Sequence, residues 1–145
     1  MEYKIDGDDC VLRLEPGEEI IACIDQVCAR ENLRAGYVAS AVGALRAATV
    51  GLYDLGEKQF LAHTIDKPLE LISLSGNISR MNEAVYTHFH AVVADKNAAV
   101  YGGHLSRAVV SATAEIVLRR IPLELGRRSD QETGLNLLTF PSTCV

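Results

Sequence analysis

The residues best placed to do chemistry are three of the chain's four histidines, His88, His90 and His104. If Val85–Val93 is a strand, His88 and His90 project from one face about 6.6 Å apart along the backbone, and two imidazoles at that separation can converge on one ion. The polar turn Asp95-Lys96-Asn97 then reverses the chain. A hairpin centred near residues 96 and 97 pairs position 90 with roughly 103 and so carries His104 alongside His90. Gly102-Gly103 permits a bulge or close backbone approach that re-aims the His104 ring. Three neutral imidazoles leave the fourth position of a tetrahedral zinc open to water or a ligand, the arrangement of catalytic rather than structural zinc sites. The expected cofactor is therefore a divalent metal ion, zinc first, although nickel, iron or copper would also accept imidazoles. The competing account is that the histidines are solvated or hydrogen-bonded strand residues.

Other reactive side chains give weaker signals. Glu115 and Glu70 fall on predicted strands, where a carboxylate acts as a general base or orients a ligating histidine, or is simply solvated or ion-paired. They are the candidate catalytic residues, with no role assigned. His63 stands outside the cluster as a surface or packing residue. The four cysteines, Cys10, Cys23, Cys28 and Cys144, form no C-x-x-C pair and read as small buried apolar residues of a reducing compartment. Neither a phosphate-binding glycine loop nor a G-x-S-x-G nucleophile motif is present.

The elements that must position the histidines are legible from periodicity. Along Val85–Val93, the residues Val85, Thr87, Phe89, Ala91 and Val93 share one face, and Tyr86, His88, His90 and Val92 the other. Further strands are predicted over Gly36–Leu45, Ala47–Tyr53, Phe60–Ile65 and Leu69–Ile78. A later one has Val110, Ala112, Ala114, Ile116 and Leu118 on its apolar face. One main helix follows Glu15-Pro16-Gly17, with Ile20, Ile21, Ile24, Val27 and Cys28 at helical spacing and Gly36 beyond its end. The tail 123–145 has weak periodicity and is expected to be irregular or packed on the outside. Together these predict an α+β fold, an antiparallel and partly barrel-like sheet with one helix packed on it.

The bulk properties set limits. The chain has 145 residues, 48% of them hydrophobic, which supports one domain over 1–145 with a core of its own. A net charge of -5 and a pI near 5.3 disfavour direct binding to nucleic acid. The acidic N-terminus lacks a signal-peptide pattern, and no apolar stretch is long enough to span a membrane, so a cytoplasmic location is expected.

Val42-Gly43-Ala44-Leu45, the run Lys67-Pro68-Leu69-Glu70-Leu71 to Gly76-Asn77-Ile78, and Thr87-His88-Phe89-His90-Ala91 through Gly102-Gly103-His104-Leu105 resemble the PPC (plants and prokaryotes conserved) domain family in order and spacing. The resemblance runs over nearly the whole chain. It implies a free-standing homotrimer of the prokaryotic type, with a metal held by His88, His90 and His104 and room for a small-molecule ligand, in a ligand-binding or regulatory role. Plant members carry an Arg-Gly-Arg-Pro AT-hook, which this sequence lacks, so a DNA-associated role is the weaker implication. The fold is also similar to that of acetolactate decarboxylase, which implies the alternative of a metal-dependent lyase or hydrolase acting on a small oxo- or hydroxy-acid. Whether the protein is an enzyme is left open by the sequence.

Overall fold

The computed structural model describes residues 1–140; Cys144 lies outside the described residues. The elements run β1 (Glu2–Asp6), β2 (Asp9–Leu14), α1 (Ile20–Arg30), β3 (Gly36–Asp54), β4 (Gln59–Ile65), β5 (Leu69–Met81), β6 (Ala84–Asp95), β7 (Val100–Arg120), β8 (Gly126–Ser129) and β9 (Asn136–Thr139). The sheet follows the path β1-β2-β7-β3-β5-β8-β9, with β4 on β3 and β6 joined to both β5 and β7. The pairings among β3, β5, β6 and β7 thus form a partial ring, as the predicted barrel-like character requires. Among the described residues every strand pairing is antiparallel except the single parallel match of Arg80 with Gly126. The α+β prediction holds.

Helix α1 buries Ile20, Cys23, Ile24, Val27 and Cys28, the stripe read from the sequence. The Glu19 side chain caps it, accepting from the Ala22 N–H at 2.8 Å. The same carboxylate accepts from the Ala108 N–H at 2.9 Å, which ties the helix start to β7. At the other end the left-handed residue is Asn32, with φ 46°. Gly36 instead opens β3, because the chain leaves the helix four residues earlier than the glycine implied. Thr87 Oγ1 on β6 donates to Asp25 Oδ1 at 3.0 Å, linking the helix to the histidine strand.

Two differences from the sequence reading concern continuity. The segments Gly36–Leu45 and Ala47–Tyr53 are one long strand, β3, whose register against β7 shifts at four places between Val38 and Val50. Such bulges bend a strand without ending it, so the local breaks in alternation were irregularities of one element. They also leave Ala112 exposed, against the expected alternation in β7. The tail expected to be irregular forms the β8–β9 hairpin, paired from Gly126↔Thr139 to Ser129↔Asn136.

The core fills the ring and the space beneath α1. Phe89, Leu12, Leu14, Leu45, Ile78, Ile116 and Leu118 are fully buried, each contributing about 1.5–3 kcal/mol relative to an exposed side chain. Cys10, Cys23 and Cys28 are buried free thiols, as expected. Two glycines combine close backbone approach with a positive φ. Gly76 (φ 147°) lies against the His88 carbonyl and Gly103 (φ 154°) against the Gly51 carbonyl, and at both a Cβ would fall inside van der Waals contact with backbone. Both positions flank the histidines. Gly103→Ala is therefore expected to lower the free energy of unfolding by at least about 2 kcal/mol, since strained backbone positions cost on the order of 1–3 kcal/mol before the clash is added. Urea denaturation measures it, and an unchanged midpoint would mean that β3 and β7 yield at this crossing.

Candidate metal centre

The turn after β6 sets the site. The Asp95 carboxylate accepts from the Asn97 N–H at 2.9 Å and the Ala99 N–H at 3.0 Å, and Lys67 Nζ donates to it at 2.6 Å. Lys67 and these backbone donors hold its carboxyl down to about 2, so the turn is anchored by a carboxylate across the physiological range. Ala98 takes φ 59°, which lengthens the turn by a residue. His90 consequently pairs directly with His104, and Ala91 with Gly103, one position from the sequence estimate.

On the neighbouring strand Ser75 pairs with His90 and Asn77 with His88. The ring centroids of His88 and His90 are 5.3 Å apart, those of His88 and His104 5.2 Å, and those of His90 and His104 5.8 Å. One ring nitrogen from each residue lies within 4.8 Å of the others. A tetrahedral zinc with Zn–N bonds of about 2.0–2.1 Å places its nitrogens about 3.4 Å apart, so small side-chain rotations bring all three onto one ion.

Phe60 of β4 stacks on His104 at 4.5 Å and 27°, and Tyr53 packs edge-on to Phe60 at 5.0 Å. The stack fixes the plane of His104. Its Nδ1 is buried and has no hydrogen-bond partner among the described residues. An orphaned buried nitrogen is uncommon and calls for a missing ion or water, so the residues present fit a metal. Burial, reinforced by Arg127 and His90, lowers the pKa of His88. Burial, reinforced by His88 and His90, lowers that of His104. Both shifts favour the neutral imidazole that coordination needs.

The three histidines open onto a cavity of about 670 Å³ whose other walls include Val50, Leu52, Phe60, Leu61 and Tyr101. A second cavity of about 390 Å³ shares Phe60, His88, His104 and Leu135 with the first and is walled also by Asn77, Tyr86, Arg127 and Asn136. His63 is exposed and lines the rim of the larger cavity, a surface residue as read, though closer to the cluster than its place in the sequence implied. Glu70 and Glu115 are brought to neither. Glu70 is exposed beside Ala44 and Ala94, and Glu115 is exposed between Arg13 and Val42.

Sequence reasoning missed Phe60, Asn77 and Arg127. Arg127 was visible only as half of a basic pair in a tail without periodicity. Its guanidinium donates to Ser79 Oγ at 2.8 Å, the Asn136 carbonyl at 2.6 Å and Asn77 Oδ1 at 2.6 Å. It also lies 4.6 Å over the Tyr86 ring. The nearest hint was the Gly126-Arg127-Arg128 run itself, which gives no clue to what the side chain meets.

Comparison with known proteins places these features in a family. A metal-containing protein from Archaeoglobus fulgidus is 33% identical and superposes with a TM-score of 0.83 over 95% of this chain and 96% of that one. A candidate DNA-binding protein from Bacteroides thetaiotaomicron is 27% identical, with a TM-score of 0.91 over 96% of each chain. A protein similar to alpha-acetolactate decarboxylase from Staphylococcus aureus, 14% identical, reaches a TM-score of 0.58 over 80% of this chain and 53% of that one, a likeness of fold alone. Among curated proteins, bifunctional protein GlmU of Synechococcus sp. is 36% identical over 125 residues, which is 85% of this chain but 18% of that protein. The Plants and Prokaryotes Conserved (PCC) domain matches residues 1–122, and the chain belongs to that family.

Proposed function

We propose that this chain is a metal-binding domain in which His88, His90 and His104 hold one divalent ion, zinc by its affinity for imidazoles in tetrahedral sites, with the remaining position open to a small-molecule ligand. The observation that carries the proposal is the convergence of three imidazoles on one cavity, with the buried Nδ1 of His104 lacking any other partner. When bound, the metal supplies Lewis acidity toward a ligand oxygen. The chain's own residues orient the imidazoles through Phe60 and the hairpin, favour the neutral form of His88 and His104 by burial, and surround the ligand with apolar wall. A ligand-binding or regulatory role is favoured over a metal-dependent lyase or hydrolase of oxo- or hydroxy-acids, because no carboxylate lines either cavity to move a proton.

Residues 1–145 are read as one domain, the tail hairpin included, working in the cytoplasm as a homotrimer. Val42, Leu52, Leu61, Ile72, Val92 and Val100 are exposed on the sheet, more apolar surface than a lone domain keeps wet, and a closed ring of copies would cover it. Light scattering at low micromolar concentration is expected to give three times the 15.7 kDa chain mass; a monomer would refute the assembly.

A second reading comes from the structural neighbour described as a candidate DNA-binding protein. The charge distribution opposes it. Of the adjacent pairs Arg119-Arg120 and Arg127-Arg128, Arg119 bonds Asp9 at 2.8 Å, Arg120 donates to the Glu31 carbonyl at 3.1 Å and Arg127 donates to Ser79 Oγ at 2.8 Å, while Arg128 is exposed. Duplex DNA, random or A/T-rich, is expected to bind no tighter than micromolar at about 150 mM salt by fluorescence anisotropy. Sub-micromolar, sequence-selective binding would reverse this conclusion.

The metal itself is tested by elemental analysis of untagged protein after incubation with zinc and desalting. One equivalent per chain is expected, and His90→Ala should weaken zinc binding at least about 100-fold while the fold persists. Occupancy should fall as pH drops below the ordinary histidine value of about 6.5, because protons then compete for the ring nitrogens. The metal-free protein should also lose stability over the same descent. His88 and His104 have folded pKa values below their unfolded ones, so the unfolded chain takes up the extra protons and stability rises with pH through that window. Equal trace metal in wild type and the three alanine variants would make the histidines ordinary strand residues.

A further inference from the structure

We infer that the ligand completing the metal site is a small organic monocarboxylate, and that Arg127 is the cation that receives its carboxylate. This deepens the proposed function and rests on the metal it assumes. The family match ends at residue 122, so Arg127 belongs to the part of the chain that the match does not reach.

The chain has 19 acidic residues against 14 Lys and Arg, yet among the described residues no Asp or Glu lines either cavity at the histidines. Within that acid-free space Arg127 is half-buried and is held by three neutral acceptors, Ser79, Asn136 and Asn77. Among the described residues it forms no ion pair; half-buried Arg80 and Arg120 form none either, but of the three Arg127 alone lines a cavity at the histidines. Neutral acceptors offset part of the desolvation of a half-buried cation, and an opposing charge offsets more. Three donors are engaged and two of the guanidinium's five N–H groups remain. The face over Tyr86 and the bonds to β5 fix its orientation, so little side-chain freedom is lost when it takes up an anion.

Its placement links it to the metal. Asn77, which accepts from Arg127, is the cross-strand partner of His88, and Arg127 and His88 line the same cavity of about 390 Å³. A divalent ion bound by neutral imidazoles would add two more positive charges beside it, and nothing from the protein would balance them. One carboxylate meets one guanidinium, and a second ligand oxygen reaches the metal's open position. The class is narrowed further by the walls. Among the described residues Arg127 is the only Lys or Arg lining either cavity, too little for a phosphate dianion, and the larger cavity offers Val50, Leu52, Phe60 and Leu61 to an apolar remainder.

The test uses protein loaded with Co(II), whose visible absorption reports a change at the open position, titrated with pyruvate, with its uncharged methyl ester and with inorganic phosphate. Pyruvate is expected to perturb the spectrum saturably and the ester at least about tenfold more weakly. Arg127→Gln should weaken pyruvate about 10- to 100-fold while leaving cobalt stoichiometry at one. Because Arg127 also seats the β8–β9 hairpin, Asn77→Asp supplies a second variant that keeps the arginine and neutralises it with an internal carboxylate; it should weaken pyruvate comparably. Cobalt-loaded wild type whose pyruvate affinity is untouched by both substitutions overturns the anion site and leaves the metal reading standing. Tighter binding of phosphate than of pyruvate overturns the carboxylate class. Failure to take up cobalt at all overturns the metal reading and the bridged ligand with it.

Discussion

The direct pairing of His90 with His104 across the β6–β7 hairpin is the constraint on which the site depends. In a strand the side-chain period is two, so a slip of one residue would turn His104 to the core face and bury it against Phe89 and its neighbours. The register is held at one end by the Asp95 carboxylate bonding its own turn and Lys67, and along its length by Phe89, Ala91 and Val93, which are buried on the opposite face. Gly103 finishes the alignment, since its missing Cβ lets β7 cross against Gly51 and carries the next residue toward the other two histidines.

That constraint accounts for which parts of the molecule were readable. The shared face of His88 and His90, the apolar stripe of α1 and the turn after Asp95 all follow from local periodicity, which is written within a few residues. The position of His104 was legible to within one residue, and the error traces to Ala98 entering the left-handed region, where an alanine gives no warning. The continuity of β3 was illegible for a related reason: four register shifts against β7 break the alternation that strand reading depends on. Arg127, Asn77 and Phe60 could not have been found this way. Their proximity to the histidines is created by pairings between distant strands and by a tail that local pattern leaves blank.

Electrostatics separates the site from the rest of the surface. Elsewhere three arginines meet carboxylates, Arg13 with Glu2 and Glu15, Arg119 with Asp9 and Arg34 with Glu83 and Glu124, and exposed pairs of this kind contribute little to stability because solvent screens them. Around the histidines the protein withholds carboxylates, and burial keeps His88 and His104 neutral. The placement of Glu70 and Glu115 away from both cavities follows the same pattern and removes the two groups that sequence alone offered for proton transfer.

The tail hairpin shares in this arrangement through a thin attachment. β8 meets β5 by one parallel pair, Arg80 with Gly126, and by the Arg80 N–H donating to the Leu125 carbonyl at 2.8 Å. The other ties include side-chain bonds, Arg127 to Ser79 and Asn77, Asn136 to the Tyr86 hydroxyl at 3.3 Å, the Tyr53 hydroxyl to the Thr133 carbonyl at 2.8 Å and Lys58 Nζ to the Gln131 carbonyl at 2.8 Å. Several of these groups also wall the cavities, and Leu135 borders both. Seating the hairpin and shaping the space beside the three histidines are consequently coupled, since some of the contacts that hold the tail down also orient Arg127. A segment with so few backbone ladder bonds depends on these side chains for its order, and anything that engages Arg127 acts on the hairpin at the same time.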